Sequence, residues 1–321
     1  MTPRQDRSVP LRWIVSGSSV ALLFAAWYLV TGPLGLVSSL KFPAPLDAYD
    51  SLIRLIRSPG YADGILAQHI LSSTELVLIG FLLATATGVP LGLLMFGGSF
   101  PVPIVVRSRV TAGAGYGSQH SMDASGLFAL YPGWRILAPS RPYDYVGLLN
   151  AALYCDDPVL IVEYHDLFKN VGPVPVDDWD FIVPIGKARI ARAGTRCSIL
   201  TYGVMVGVCC ELAERTGIDA EVIDLRTLDP LGLDWATIEQ SVRRTNALMI
   251  VEQTTRGTSI GSRIVSDAQN RLFDWLDHEI VYVTGANCSP VVSKVLERAS
   301  LADAPAVEAA LRRLDAARGA R

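Results

Sequence analysis

Two stretches of the chain show no alternation of apolar and polar positions at all. Trp13–Leu40 and Leu76–Val106 contain no Asp, Glu, Lys or Arg. Each exceeds the roughly 18–20 apolar residues that a bilayer-spanning helix needs. The pattern predicts two transmembrane helices, about Trp13–Leu36 and Leu76–Met95, within a membrane segment of residues 1–100. A cleaved leader would have a shorter apolar core and a small-residue cleavage site, so a retained span is expected. Arg4, Arg7 and Arg12 place the N-terminus in the cytoplasm, and Arg107 and Arg109 mark the return to that side. This predicts inner-membrane anchoring, with the remainder cytoplasmic. Between the spans, Phe42-Pro43-Ala44-Pro45 forms a turn before a helix-like Leu46–Arg57. Gly80, Gly88 and Gly92 favour close helix packing, and Pro90 predicts a kink.

From Pro101 the pattern changes to short β-branched runs separated by helix-period segments. Strands are expected at Ile104–Val110, Arg135–Ala138 and Val159–Glu163, with helices at Met122–Ala129 and Tyr143–Leu153. Gly172-Pro173-Val174-Pro175 and the acidic Asp177–Asp180 read as a linker. A second unit follows from Lys187. Its strands are Cys197–Thr201, Ala220–Asp224, Leu248–Glu252 and Glu279–Thr284. Its helices are Met205–Thr216 (capped by Gly217), Asp234–Arg243, Ser259–Leu276, Val291–Ala299 and Val307–Ala317. Alternation at this spacing predicts an α/β fold of parallel βαβ units, with domains over 101–180 and 181–321, the second doubly wound.

Charge narrows the function classes. The net charge is −3 and no Lys/Arg cluster forms a basic face, so nucleic acid is not an expected partner. The five cysteines, with no CxxC, argue against a disulfide framework, and the four histidines do not sit at metal-ligand spacing. The stretch Arg109–Phe128 concentrates the candidate chemistry. Gly113, Gly115 and Gly117 alternate there and lead into Gln119-His120-Ser121. No GK[ST] and no G-x-G-x-x-G opening a helix is present, so neither a P-loop nor a dinucleotide fingerprint applies. Taken alone, the glycine run is a turn and Ser121 is a helix N-cap.

Two resemblances add to this. The segment Leu22–Ser99, with its FPAP loop and GFLLATATGVPLGLL span, resembles the N-terminal part of importer permeases of the nitrate/sulfonate/taurine type. The segment Val102–Leu314 resembles the β subunit of the thiamine-diphosphate-dependent decarboxylating component of 2-oxo-acid dehydrogenase complexes (pyruvate, branched-chain and acetoin types). GSQHS, PGWRILAPS, GKA, DLRTLDPL and VEQ carry that likeness, in order. It implies a partial pyrimidine-binding domain followed by a transketolase C-terminal-type domain. It places His120 on the family's active-site histidine, with Gln119 and Ser121 orienting it. It maps a potassium site to Ala152, Leu153, Cys155 and Asp157, with Cys155 in place of the usual Asp, and Glu163-Tyr164 stands where Glu-His is common. Arg226 is expected to hold the C-terminal domain together, and Glu252 to end a strand.

The resemblance further implies thiamine diphosphate shared with an α subunit that binds its Mg²⁺. The assembly would hold two α and two β chains docked on a lipoyl acyltransferase core. The family's cofactor-activating glutamate lies in a part that the N-terminal spans replace here. Three readings follow: a β-subunit-like fragment inactive alone, a permease component, or a non-functional fusion joined near Gly97–Val102.

Overall fold

The computed structural model describes residues 9–34, 36, 43–57, 66–97, 101–256 and 259–319. Arg4, Arg7, Phe42 and residues 98–100 of the expected junction lie outside them. The chain divides into two compact units, Met1–Leu93 and Leu94–Arg321.

The first unit holds helices α1 (Val9–Thr31) and α2 (Pro45–Arg57) and most of α3 (Leu66–Gly97). The Trp27 indole N–H donates to the Pro43 carbonyl at 3.0 Å, tying the end of α1 to the start of α2. The expected pair of spans is corrected here. Among the described residues only Ile70–Gly92 is long and apolar enough to cross a membrane, with mean hydropathy 1.7. Within the first helix, the described side chains give a shorter apolar stretch, Gly17–Thr31. It ends at Thr31, ahead of Gly32 and Pro33, so the expected run to Leu36 is not helical. Pro90 lies within α3, which continues past it.

The second unit contains two sheets. β1 (Val105–Val110), β2 (Arg135–Leu137) and β3 (Val159–Tyr164) form a parallel sheet in the order β1-β3-β2. The short α4 (Ser125–Phe128) and α5 (Pro142–Leu153) connect these strands. α5 starts with Pro142, whose missing N–H costs nothing at a helix start. The second sheet has the order β4-β6-β5-β7-β8, from β4 (Arg189–Arg192), β5 (Cys197–Thr201), β6 (Ala220–Asp224), β7 (Leu248–Thr255) and β8 (Val281–Gly285). β4 is an antiparallel edge and the rest are parallel.

Helices α6 (Val204–Thr216) and α10 (Ala304–Gly319) cover one face of this sheet, where Ile199, Val222 and Met249 are buried. Helices α7 (Trp235–Thr245) and α8 (Gly261–Leu272) cover the other, over Leu200, Ile223 and Ile250. Neighbouring strand residues point to opposite faces, so helices on both sides require the continuous apolar runs the sequence shows. A fully buried Leu or Ile contributes about 1.5–3 kcal/mol. Gly217 ends α6 with φ 71°, as the sequence predicts, and Asp234, expected as the first helical residue, instead caps α7 by accepting from the Thr237 N–H. α9 (Lys294–Ser300) is shorter than expected.

The two sheets are joined within this unit. The Ala138 N–H donates to the Arg226 carbonyl at 2.8 Å, and the Leu228 N–H donates to the Ile136 carbonyl at 2.7 Å. Asp144, wholly buried on α5, accepts from Arg226 at 3.0 Å and Arg141 at 2.7 Å, with Arg189 at 3.4 Å. Arg226 also donates to the carbonyls of Lys187 and Ala188. The expected structural role of Arg226 extends to joining both domains.

Candidate active site

β1 delivers the chain to Thr111, and the ten residues to His120 close on themselves. The Thr111 N–H and hydroxyl donate to the His120 carbonyl at 2.7 and 3.1 Å. The Ser121 hydroxyl returns a bond to the Thr111 carbonyl at 3.3 Å. Ser121 is therefore a clasp at the loop's base and not the N-cap that the sequence predicts. The expected helix Met122–Ala129 shrinks to α4, because Asp123 takes the Ser125 N–H at 2.8 Å in an Asx turn. At the tip, Gly113, Gly115 and Gly117 have φ of 79°, 84° and 65°, where side chains are strained. A Cβ on Gly115 would also lie 2.9 Å from the Val292 carbonyl oxygen.

His120 itself is exposed, and its ring meets Tyr116 edge-on at 5.9 Å. Gln119 is exposed beside it. The structure thus brings His120 and Ser121 onto one loop by backbone bonds. An exposed imidazole held on a fixed loop can take or give a proton to a bound reactant near neutral pH.

Behind the loop, the topological switch point of the second sheet lies between the C-terminal ends of β5 and β7, the usual ligand crevice of such sheets. Here it is filled. The Tyr202 hydroxyl donates to Glu252 at 2.9 Å, Tyr282 donates to the same carboxylate, and the Gly261 N–H reaches it at 3.0 Å. Tyr164, at the end of β3, sits 6.4 Å from the Tyr202 ring and donates to Asp123 at 2.7 Å. Burial, then the adjacent Asp123 and Glu252 carboxylates, push the Tyr164 and Tyr202 hydroxyls well up, so both remain donors. Burial also raises Glu252 despite its donors. β7 continues past Glu252 to Thr255, so Glu252 does not end a strand as expected.

Further along, Glu163 accepts from Arg107 at 2.5 Å and from Tyr145 at 2.6 Å beside a cavity of about 370 Å³. Burial first, then Glu163, pushes the Tyr145 hydroxyl up to about 12.

The expected potassium ligands form a closed turn. The Ala152 carbonyl accepts from the Tyr154 and Cys155 N–H groups, which occupies its lone pairs. Leu153 is exposed, Asp157 belongs to a neighbouring open cleft, and Cys155 packs against the apolar cluster around Leu148. Among the described residues no group of three His, Cys, Asp or Glu is placed to hold a metal. Nor do the residues around His120 enclose a cofactor, which is ordinarily buried over most of its surface. Tyr116, Gln119 and His120 stand open, and Asp123 is engaged by Tyr164 and Ser125. Asp123, Tyr164 and Tyr202 were not singled out from the sequence as site residues; the Asp-x-Ser turn three residues past His120 was the available signal.

Two family descriptions match this arrangement. The transketolase pyrimidine-binding domain matches residues 91–169, and the transketolase C-terminal domain matches residues 186–307. The α/β unit is a pair of transketolase-type domains. Its relatives are more specific. It is 36% identical over 222 residues to the acetoin:2,6-dichlorophenolindophenol oxidoreductase subunit beta of Cupriavidus necator, covering 68% of this chain and 64% of that one. It is 39% identical over 225 residues to the mitochondrial pyruvate dehydrogenase E1 component subunit beta of Caenorhabditis elegans, covering 68% and 63%. The 2-oxoisovalerate dehydrogenase subunit beta of Pseudomonas aeruginosa is 38% identical over 203 residues, covering 59% and 57%. The chain is similar to β subunits of acetoin, pyruvate and 2-oxoisovalerate enzymes, and it spans under two thirds of the length of these relatives. A solved structure titled "Split gene transketolase, inactive beta4 tetramer" shares the fold, with a TM-score of 0.52 at 20% identity over 73% of each chain. Neither transketolase description extends over residues 1–90, where the permease likeness rests on the residues alone.

Proposed function

We propose that the transketolase-type unit serves as the β-subunit half of a thiamine-diphosphate-dependent 2-oxo-acid dehydrogenase component and is inactive alone. The observation that carries this reading is His120: an exposed imidazole on a loop closed at Thr111 and held between two domains homologous to such β subunits. In this reading His120 exchanges protons during decarboxylation and acyl transfer to a lipoyl group. Ser121 and Thr111 fix its backbone, and Gln119 lies beside it as an orienting neighbour. An α subunit brings thiamine diphosphate with its Mg²⁺ and supplies the walls that this chain lacks. The assembly takes two α and two β chains, and the C-terminal domain faces the lipoyl acyltransferase core.

The test is co-expression with an α subunit of an acetoin, pyruvate or branched-chain enzyme. Oxidation of the matching 2-oxo compound is expected only with both chains present, and with a His120→Ala variant the rate is expected to fall about 10²–10⁴-fold, the span of one acid–base group. No complex with any of the three α subunits would refute the reading.

A further inference from the structure

The tip of the His120 loop is gripped by one short helix of the C-terminal domain. The Glu297 carboxylate accepts the Gly115 N–H at 2.5 Å. The next residue, Arg298, donates its Nε to the Gly113 carbonyl at 3.1 Å. The approach is close: a Cβ on Gly115 would lie 3.0 Å from the Lys294 nitrogen, and one on Gly117 would lie 3.2 Å from the Val292 side chain. Gly115 and Gly117 flank Tyr116, whose ring meets His120 edge-on. A contact therefore runs from Glu297 through Gly115 and Tyr116 to the imidazole. At its other end the loop is closed by Thr111 and Ser121. Glu297 is fully buried, and its Oε1 has no hydrogen-bond partner among the described residues. A buried carboxylate oxygen left unpaired destabilises the fold. What Glu297 contributes is geometry.

We propose that Glu297 is a positioning residue for His120, acting through the Gly115 N–H, with Arg298 as its second hold on the loop. It rests on the reading of His120 as the proton-transfer group. It touches no substrate and takes no part in the transfer itself.

The test uses the full chain and acylation of its histidines by diethyl pyrocarbonate, followed residue by residue by mass spectrometry. Glu297→Ala frees the Gly115 N–H, and a turn released in this way is expected to change the His120 acylation rate by about threefold or more. His278, which precedes the N-terminal end of β8, serves as the internal reference. Glu297→Gln keeps an oxygen for Gly115 and is expected to restore the wild-type His120 rate. A folded Glu297→Ala chain with an unchanged His120 rate would overturn the proposal. So would equal changes at His120 and His278, or a Gln variant that behaves as Ala does. If Glu297→Ala does not fold, Arg298→Ala decides. That side chain is exposed, and an unchanged His120 rate in it overturns the proposal. Turnover with an α subunit is read separately. Its absence in wild type, with the acylation pattern as expected, refutes the functional reading and leaves the Glu297 contact standing. Wild-type turnover with unchanged kcat in Glu297→Ala refutes the positioning role alone.

Discussion

Asp144→Ala removes the carboxylate on which three guanidinium groups converge between the two domains. The three losses are unequal. Arg141 is 43% exposed and can turn to water, and Arg189 is 21% exposed and keeps Asp224 at 3.0 Å. Arg226 is 9% exposed and would keep only the two carbonyl contacts, leaving its charge uncompensated. Removing one partner of a buried ion pair costs about 3–5 kcal/mol, and the two retained carbonyls place this case near the lower end. For a folded unit of this size each kcal/mol lowers Tm by about 2–4 °C, so Asp144→Ala is expected to lower it by about 6–16 °C. Arg141→Ala is expected to cost about 1 kcal/mol or less, since half-exposed pairs contribute little. Urea denaturation of the three chains, read by fluorescence, measures both values. A loss within about 1 kcal/mol in Asp144→Ala would refute the claim that this cluster joins the domains.

Three other outcomes are expected. Gly203→Ala places a methyl 2.4 Å from the Tyr164 ring at φ 56°, and overpacking with backbone strain should cost about 2–5 kcal/mol in the same assay. Burial holds Glu252 and Asp224 above the usual carboxylate range. A folded pKa above the unfolded one means that the folded chain binds the proton more tightly. Stability from these groups is thus complete at low pH and erodes as pH rises through the raised values. Glu252→Gln removes one share of that erosion, so its denaturation midpoint relative to wild type should vary with pH across the acid range and level off above it; a constant difference would count against the burial argument. Third, Ile70–Gly92 leaves its apolar side chains uncovered, and the full chain is expected in the membrane fraction after alkaline carbonate washing. Recovery in the supernatant would remove membrane attachment from the account.

Much of the second unit was legible because buried parallel strands leave unbroken apolar runs. β5 and β6 fall on the expected residues, and Gly217 ends α6 as read. β4 was missed because Arg189–Arg192 is short, alternates charge with apolar residues, and is a strand only through pairing with β6. α4 was overextended because a local Asx bond at Asp123 outcompeted a helix start at Ser121. The first helix stops at Thr31, five residues short of the expected Leu36, where Gly32 and Pro33 interrupt the helix before the apolar run is spent. His120 was singled out through family likeness. Its supports were not: Tyr164 lies 41 residues from Asp123, and Glu297 lies 182 residues from Gly115. Contacts that join distant segments carry no local signature of periodicity or spacing.

In the proposed function His120 is the proton-transfer group of a β-type subunit that works only beside an α chain. Steady-state oxidation of a 2-oxo compound by the reconstituted α–β pair, with wild-type and His120→Ala chains at equal complex concentration, tests it most directly. Thiamine-diphosphate-dependent turnover is expected with wild type, none with either chain alone, and a loss of about 10²–10⁴-fold in kcat with the variant. Equal turnover by wild type and His120→Ala in an intact complex would contradict it.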